Sequence, residues 1–421
     1  MKISPFQVIV LAIFALALVG GVIVLALTKS KTGSGSGVPV VIWGTMSSAS
    51  FNASTADITQ GNGGLKINYI EKRPENFDQD LLEALASGAG PDAILLPQDL
   101  IVRHRDKILP ISYNQMSLPS FKSTFIQEGE LFLDPNGILA LPFSVDPLVM
   151  YWNRDLLSNA GLARVPQTWE EFIALSQKLT VKDKSGNILK SAVALGEFRN
   201  IANAKEIIST LLLQAGNGIS DGLKSLLNPP TLATIGAINF YTDFANPVKP
   251  DYSWNRALPN SLNMFTAGDL AFYFGFAGEI SKIRDKNPNL NFDVTFFPQP
   301  KGASVTTTFG KMQGLAVLKA SRNSADAITA VLALTGVGPL GLLAKATGLP
   351  PVRRDMLSVD PSDPYQGIFN NSAIRARGWL DPNPLSSSAI FQDMIESVTG
   401  GEREAGNAID VAGKNLTNLF R

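Results

Sequence analysis

A chain of 421 residues exceeds what one hydrophobic core usually supports, so two or more bodies are expected. Lysine plus arginine number 36 and aspartate plus glutamate number 36, a balance that argues against a nucleic-acid binder, which would carry a basic field. With no cysteine, disulfides, thiolate metal sites and a lipid-modified cysteine anchor are all excluded.

Residues 6–27 carry no charge, and about 20 apolar residues suffice to cross a bilayer. Residues 6–28 are therefore expected to form a transmembrane anchor, with residues 1–5 on the cytoplasmic side. The alternative is a cleavable signal peptide, whose apolar region would run to about 7 to 15 residues. Cutting at its one small-x-small candidate, Ala15-Leu16-Ala17, would leave half of the stretch attached. Lys2 precedes the segment while Lys29 and Lys31 follow it, so charge does not orient it. Residues 29–37, KSKTGSGSG, read as a flexible Gly/Ser tether.

The folded part begins near Val38. Residues 38–43 (VPVVIW) read as a strand ended by Gly44-Thr45, and residues 65–71 alternate as a second. Residues 47–64 between them suit either helix or loop. A helix over 77–86 presents Leu81, Leu82 and Leu85 on one face and stops at Gly88 and Gly90; residues 91–96 follow as a strand. This β, α, β alternation is what a doubly wound lobe requires, with ligands taken beyond the carboxyl ends of the strands.

Residues 140–172, ALPFSVDPLVMYWNRDLLSNAGLARVPQTWEEF, organise the rest. The first half is an apolar strand whose Pro142 and Pro147 confine it to an edge or a crossing between bodies. Asn153 opens a short helix, and Thr168 with Glu171 three residues on forms a capping box for the next. Further along, residues 178–194 read as a hairpin turning at 183–187, and residues 204–215 and 232–244 as helices, the second capped by Thr231. A strand is expected at 292–297, and helices at 325–334, 390–398 and 408–420.

The 140–172 stretch resembles the central signature of the family 1 extracellular solute-binding proteins of ABC transporters, the maltose-binding-protein type. Further places carry the likeness: residues 81–96 (LLEALASGAGPDAILL), residues 263–276 (NMFTAGDLAFYFGF), residues 310–317 (GKMQGLAV), similar to the family's second crossing, and residues 349–355 (LPPVRRD). The resemblance implies an α/β, two-lobe, type II periplasmic-binding-protein-like fold, preceded here by the one N-terminal transmembrane helix. It places residues 38–141 and 269–309 in lobe I and residues 146–268 and 314–421 in lobe II. It implies a ligand held in the cleft between the lobes by Trp43, Gly44, Thr45, Asp92, Gln98, Asp99, Ser144, Asp146, Tyr151, Trp254, Gly275, Phe276, Lys311, Gln313 and Arg353. Where the family has a tryptophan after a glycine, this chain has Phe276, which keeps an aromatic face and loses the indole N–H.

Catalytic motifs are few. His104 is the only histidine, flanked by Arg103 and Arg105, which points to a solvated helix face rather than a triad. Gly336-x-Gly338-x-x-Gly341 follows an apolar helix and contains Pro339, so it is read as a connection between helices and not as a phosphate cradle. Asp92, Asp99 and Asp146 lie near expected cleft edges, and counting carboxylates does not exclude a glycosidase pair. The expected function is binding without covalent chemistry: a membrane-anchored component of an ABC importer, on the extracytoplasmic side. It takes a small ligand, expected to be a carbohydrate, and passes it to permease subunits. The expectations further include a monomer, no cofactor, no metal and no nucleic acid. The alternatives are an anchored glycoside-processing enzyme and a ligand sensor.

Overall fold

The computed structural model describes residues 38–59, 65–357 and 363–421. The expected anchor at 6–28 and tether at 29–37 lie outside the described residues. Among those described, no single helix is long and apolar enough to cross a membrane.

Strands β1 (Val40–Gly44), β2 (Ile67–Glu71) and β3 (Ala93–Pro97) pair in parallel, joined by the helices Ser48–Thr59 and Phe77–Ala86. Of the segment at 47–64, open between helix and loop in the sequence, Ser48–Thr59 is helical. A two-stranded ladder of β4 (Leu133–Asp134) and β5 (Gly137–Ile138) leads into β6 (Leu141–Asn153), the longest strand. After it come β7 (Val181–Lys182), β8 (Ile188–Val193), β9 (Leu270–Phe276), β10 (Phe292–Thr295), β11 (Thr308–Val317) and β12 (Ala376–Arg377). The main sheet runs β2-β1-β3-β11-β6-β9-β8-β7, with β10 also on β6 and β12 on β11.

β6 changes partners along its length. From Leu141 to Pro147 it is antiparallel to β11; from Leu148 it pairs with β9 and β10. Pro147 sits at the change, where the missing amide N–H interrupts no ladder, and its carbonyl accepts from Ala277 N–H at 2.9 Å. The side chains divide at the same point. Val145 belongs to one hydrophobic core, with Ile42, Phe51, Leu95 and Phe143, while Leu148 belongs to another, with Tyr151, Phe172, Phe272 and Ile409. β11 crosses back between Phe309 in the second core and Met312 in the first. The last crossing is made around the helix Pro364–Arg375, which places Phe369 in the second core and Ala373 in the first.

These crossings correct the lobe boundaries. Residues 269–309, expected in lobe I, belong to lobe II, because β9 is laddered to both β6 and β8 and buries Leu270, Phe272 and Phe274 in the second core. Met312 to Leu357, of which residues 314–357 were expected in lobe II, completes lobe I: β11 pairs with β3, and Val331, Leu334 and Leu340 cover the first sheet. The chain therefore returns about forty residues later than its sequence suggests.

The second core is aromatic. Trp169 meets Phe172, Phe240, Phe274 and Phe297 at centroid distances of 5.0 to 5.8 Å, and its Nε1–H donates to Gln214 Oε1 at 2.8 Å. The capping box at Thr168 and Glu171 forms and starts the helix Trp169–Leu179 that carries this ring inward. His104 departs from its expected solvated face: it is fully buried, with Nε2 2.9 Å from Asp78 Oδ1. Burial lowers its pKa against the opposing pull of Asp78.

Candidate functional site

A cavity of about 360 Å³ lies where the crossing strands pass between the lobes. Lobe I contributes the carboxyl ends of its parallel strands, where an open α/β sheet leaves backbone and short side chains free to meet a ligand. Thr45, Met46 and Ser47 follow β1, and Gln98 and Asp99 follow β3. The crossing strands give Ser144 and Asp146 from β6 and Phe309, Lys311 and Gln313 from β11. Lobe II contributes Lys205 and Glu206 from the first turn of the helix Ala204–Gln214, and Trp379 with Asp381 from the segment after β12.

Hydrogen bonds within the wall fix most of these groups. Gln98 Nε2 donates to the carbonyl of Gly310 (2.7 Å) and its Oε1 accepts from Met312 N–H (3.1 Å), stapling β3's end to the crossing strand. Gln313 Nε2 donates to Thr45 Oγ1 (3.2 Å), and Ser144 Oγ donates to Gln313 Oε1 (3.4 Å). Across the cavity, Lys205 Nζ pairs with Asp381 and donates to Ser387 Oγ at 2.7 Å. Asp381 also accepts from Ser387 Oγ (2.8 Å) and Asn383 N–H (3.0 Å). Lys311 Nζ lies 3.1 Å from Glu206 Oε1 and 4.0 Å from the centre of the Phe276 ring.

Two acids face the cavity in a different condition. Asp146 Oδ1 accepts from Gly278 N–H at 2.9 Å, and burial lifts its carboxyl to about 7 despite that bond and Lys311. Asp99 is raised as well, chiefly by burial; Lys205 and Lys311 oppose the shift and Asp381 reinforces it. Among the described residues, no group of three or more His, Cys, Asp or Glu could hold a metal ion.

Of the residues expected to line the cleft, Thr45, Gln98, Asp99, Ser144, Asp146, Lys311 and Gln313 come together here. The others do not line it. Asp92 sits before β3, at the end away from the cavity, accepting from Val41 N–H (2.9 Å) and Ser321 Oγ (2.6 Å). Trp43 lies under Lys72, whose Nζ is 3.8 Å from its ring centre, and Gly44 leaves room for Tyr69 and Leu95. Tyr151 is buried with its hydroxyl donating to the carbonyl of Phe276 (2.7 Å), and Gly275 leaves room for the rings of Tyr273 and Tyr151. Trp254 is fully buried and donates to Asn200 Oδ1 (3.1 Å); Arg353 is held by Asp355. Phe276 offers no open platform: its ring is buried and Lys311 lies over it.

Sequence reasoning missed Lys205, Glu206 and Asp381, and left Trp379 unassigned in a late loop. Trp379 is nearly buried, stacked on Phe391 (6.0 Å) with Nε1–H donating to Ser209 Oγ (3.2 Å), and forms part of the cavity lining. The available signals were a Lys-Glu pair in a helix's first turn and an aromatic two residues before an aspartate. Neither singles out a cleft before the lobes are placed.

A family model described as bacterial extracellular solute-binding protein matches residues 43–335. The chain belongs to that family. Within it, a protein of Deinococcus radiodurans described as an ABC transporter-binding protein is 29% identical over 213 residues, 47% of each chain. Among solved structures, a cyclo/maltodextrin-binding protein complexed with maltotetraose superposes with a TM-score of 0.73 at 18% identity, covering 91% of this chain and 98% of that one. A cyclic α-maltosyl-1,6-maltose binding protein from Arthrobacter globiformis gives 0.74 at 17% identity, covering 91% and 99%. At such identities the likeness establishes the two-lobe α/β fold of this solute-binding protein.

Proposed function

We propose that this solute-binding protein is the substrate-binding component of an ABC importer, taking a sugar or short oligosaccharide into the inter-lobe cavity and releasing it unchanged to a permease. The observation that carries the reading is a cavity walled by both lobes at their crossing strands, lined by hydrogen-bonding side chains together with Phe309 and Trp379. Such a site buries a small polar solute by closure and needs only a few placed polar groups. The sugar-binding titles of the structural neighbours and the transporter description of the Deinococcus protein support the same reading. The N-terminal apolar segment holds the binding body, a monomer, at the extracytoplasmic face of the membrane as a single-pass anchor.

Thermal-shift titration of the full chain in detergent against a panel of mono- and oligosaccharides tests the binding. A ligand of the folded state present at 100 times its dissociation constant adds about 2.7 kcal/mol. Saturable stabilisation with chromatographically intact sugar is the expected result, and product release with turnover would assign an enzyme instead. Resistance of the chain to alkaline carbonate extraction, with the body open to added protease on intact cells, tests the anchor and its orientation.

A further inference from the structure

The cavity contains four acids, Asp99, Asp146, Glu206 and Asp381, against two lysines, Lys205 and Lys311. The hydrogen-bond geometry shows which of these charges are already spent. Lys205 is used up: Asp381, Ser387 Oγ and the carbonyl of Pro384 take its three N–H groups. Asp381 is matched in turn by Lys205, Ser387 and Asn383. Lys311 acts on both Asp99 and Asp146, but its Nζ is bound at Glu206. The neutral amides are closed onto the wall as well, Gln98 on β11 and Gln313 on Thr45 and Ser144.

Among the four acids, Asp99 and Asp146 are the two without an ion-pair partner among the described residues. Asp99 receives no side-chain hydrogen bond among the described residues other than from its own backbone N–H. Asp146 receives backbone N–H groups on one side only, and its neighbour Glu279 adds negative charge rather than relieving it. Hydroxyl groups can donate to both, yet a neutral polyol brings no charge to offset the burial that raises both carboxyls, so neither acid gains an ionic partner when closure removes water. An anionic solute meets repulsion from both. A cationic donor gives each a charge-assisted hydrogen bond, the strong kind, and cancels the excess charge.

Resting on the proposed role of this cavity as a sugar site, we infer that the solute carries a basic nitrogen among its hydroxyls, as an amino sugar does, and that Asp99 and Asp146 receive it. The two lysine–acid pairs form the fixed frame of the site, and the two carboxyls outside those pairs select the charge of the guest.

Three disaccharides with the same β-1,4 linkage separate the possibilities: the free-amine glucosamine disaccharide, its N-acetylated form and cellobiose. Calorimetric titration of each into the full chain in detergent at pH 7 should show the free-amine form binding about tenfold or more tighter than the other two. Asp99→Asn and Asp146→Asn should each remove most of that advantage, the free-amine form losing at least fivefold more affinity than cellobiose loses, about 1 kcal/mol. Equal binding of all three sugars overturns the inference, and so does equal weakening of all three in the asparagine variants. Should a variant fail to fold, the comparison on the unaltered chain decides by itself. If neutral oligosaccharides bind and the free-amine form does not, this inference falls while the sugar-carrier reading stands; if no sugar of either kind binds, both fall.

Discussion

Behind the two walls of the cavity lie two buried acids handled in opposite ways. On the lobe II side, Asp381 is matched by Lys205, Ser387 and the Asn383 N–H. On the lobe I side, Glu128 is fully enclosed and neither carboxyl oxygen has a hydrogen-bond partner. It fills a slot left by two glycines at the crossings: a Cβ on Gly310 would come within 2.0 Å of Glu128 Oε2, and one on Gly378 within 3.0 Å of Oε1. Burial pushes the Glu128 carboxyl up to about 8, with Arg377 and Gln98 acting in the opposite sense. A carboxyl can enter a protein interior paired with a cation or keeping its proton, and this molecule uses one solution on each side of the same cleft.

The comparison can be broken most forcefully on the paired side. Lys205→Met leaves Asp381 buried without its cation and should cost about 3 to 5 kcal/mol in urea unfolding. Adding Asp381→Asn should return part of that loss; a single variant as stable as the parent would show that the pair contributes nothing. On the unpaired side the signature is a dependence on pH. Unfolded, the Glu128 carboxyl ionises near its ordinary value, and folded it holds its proton to about 8. Its contribution to stability is therefore fully present below that ordinary value and is lost as pH rises toward 8, at about 1.4 kcal/mol per unit. Glu128→Gln should flatten that slope in denaturation curves taken from pH 5 to 8, gaining over the parent at the alkaline end. An unchanged slope would mean that the carboxyl already escapes to water.

Filling the slot is a smaller perturbation. Gly310→Ala should cost about 1 to 3 kcal/mol, because the added methyl collides with the enclosed carboxyl, and Glu128→Ala in the same chain should relieve most of it. Far from both walls, Thr168→Ala removes one half of a capping box and should cost about 1 kcal/mol with sugar affinity unchanged. A change of affinity there would show that the lobe II framework is softer than its aromatic core implies.

The parts of the site readable in the sequence are those carried by local pattern. Alternation, prolines and flanking glycines mark the ends of β1, β3 and β6, and the family resemblance then implies Thr45, Gln98, Asp99, Ser144, Asp146, Lys311 and Gln313 as cleft residues. Lys205, Glu206 and Asp381 depend on where a helix start and a late segment land once lobe II is turned against lobe I, and no spacing encodes that. Aromatic residues misled for a related reason. Tryptophan and phenylalanine serve a core or a binding face with the same composition, and Trp254 and Phe276 proved to be core. The lobe boundary failed at residues 269–309 because an apolar strand such as β9 reads the same in either sheet; only its pairing with β6 and β8 tells them apart.

The threefold crossing also sets a schedule for synthesis. A ribosome that has reached Phe309 has completed neither half: the first still awaits Met312 to Leu357, and the second awaits Trp379 to Leu416. Folding of the first half as a unit, the usual course for the leading domain of a long protein, is therefore delayed here until most of the second has also been made. The first half is complete only at Ala376 and the second only at Leu416, so a product truncated before Ala376 has neither half intact.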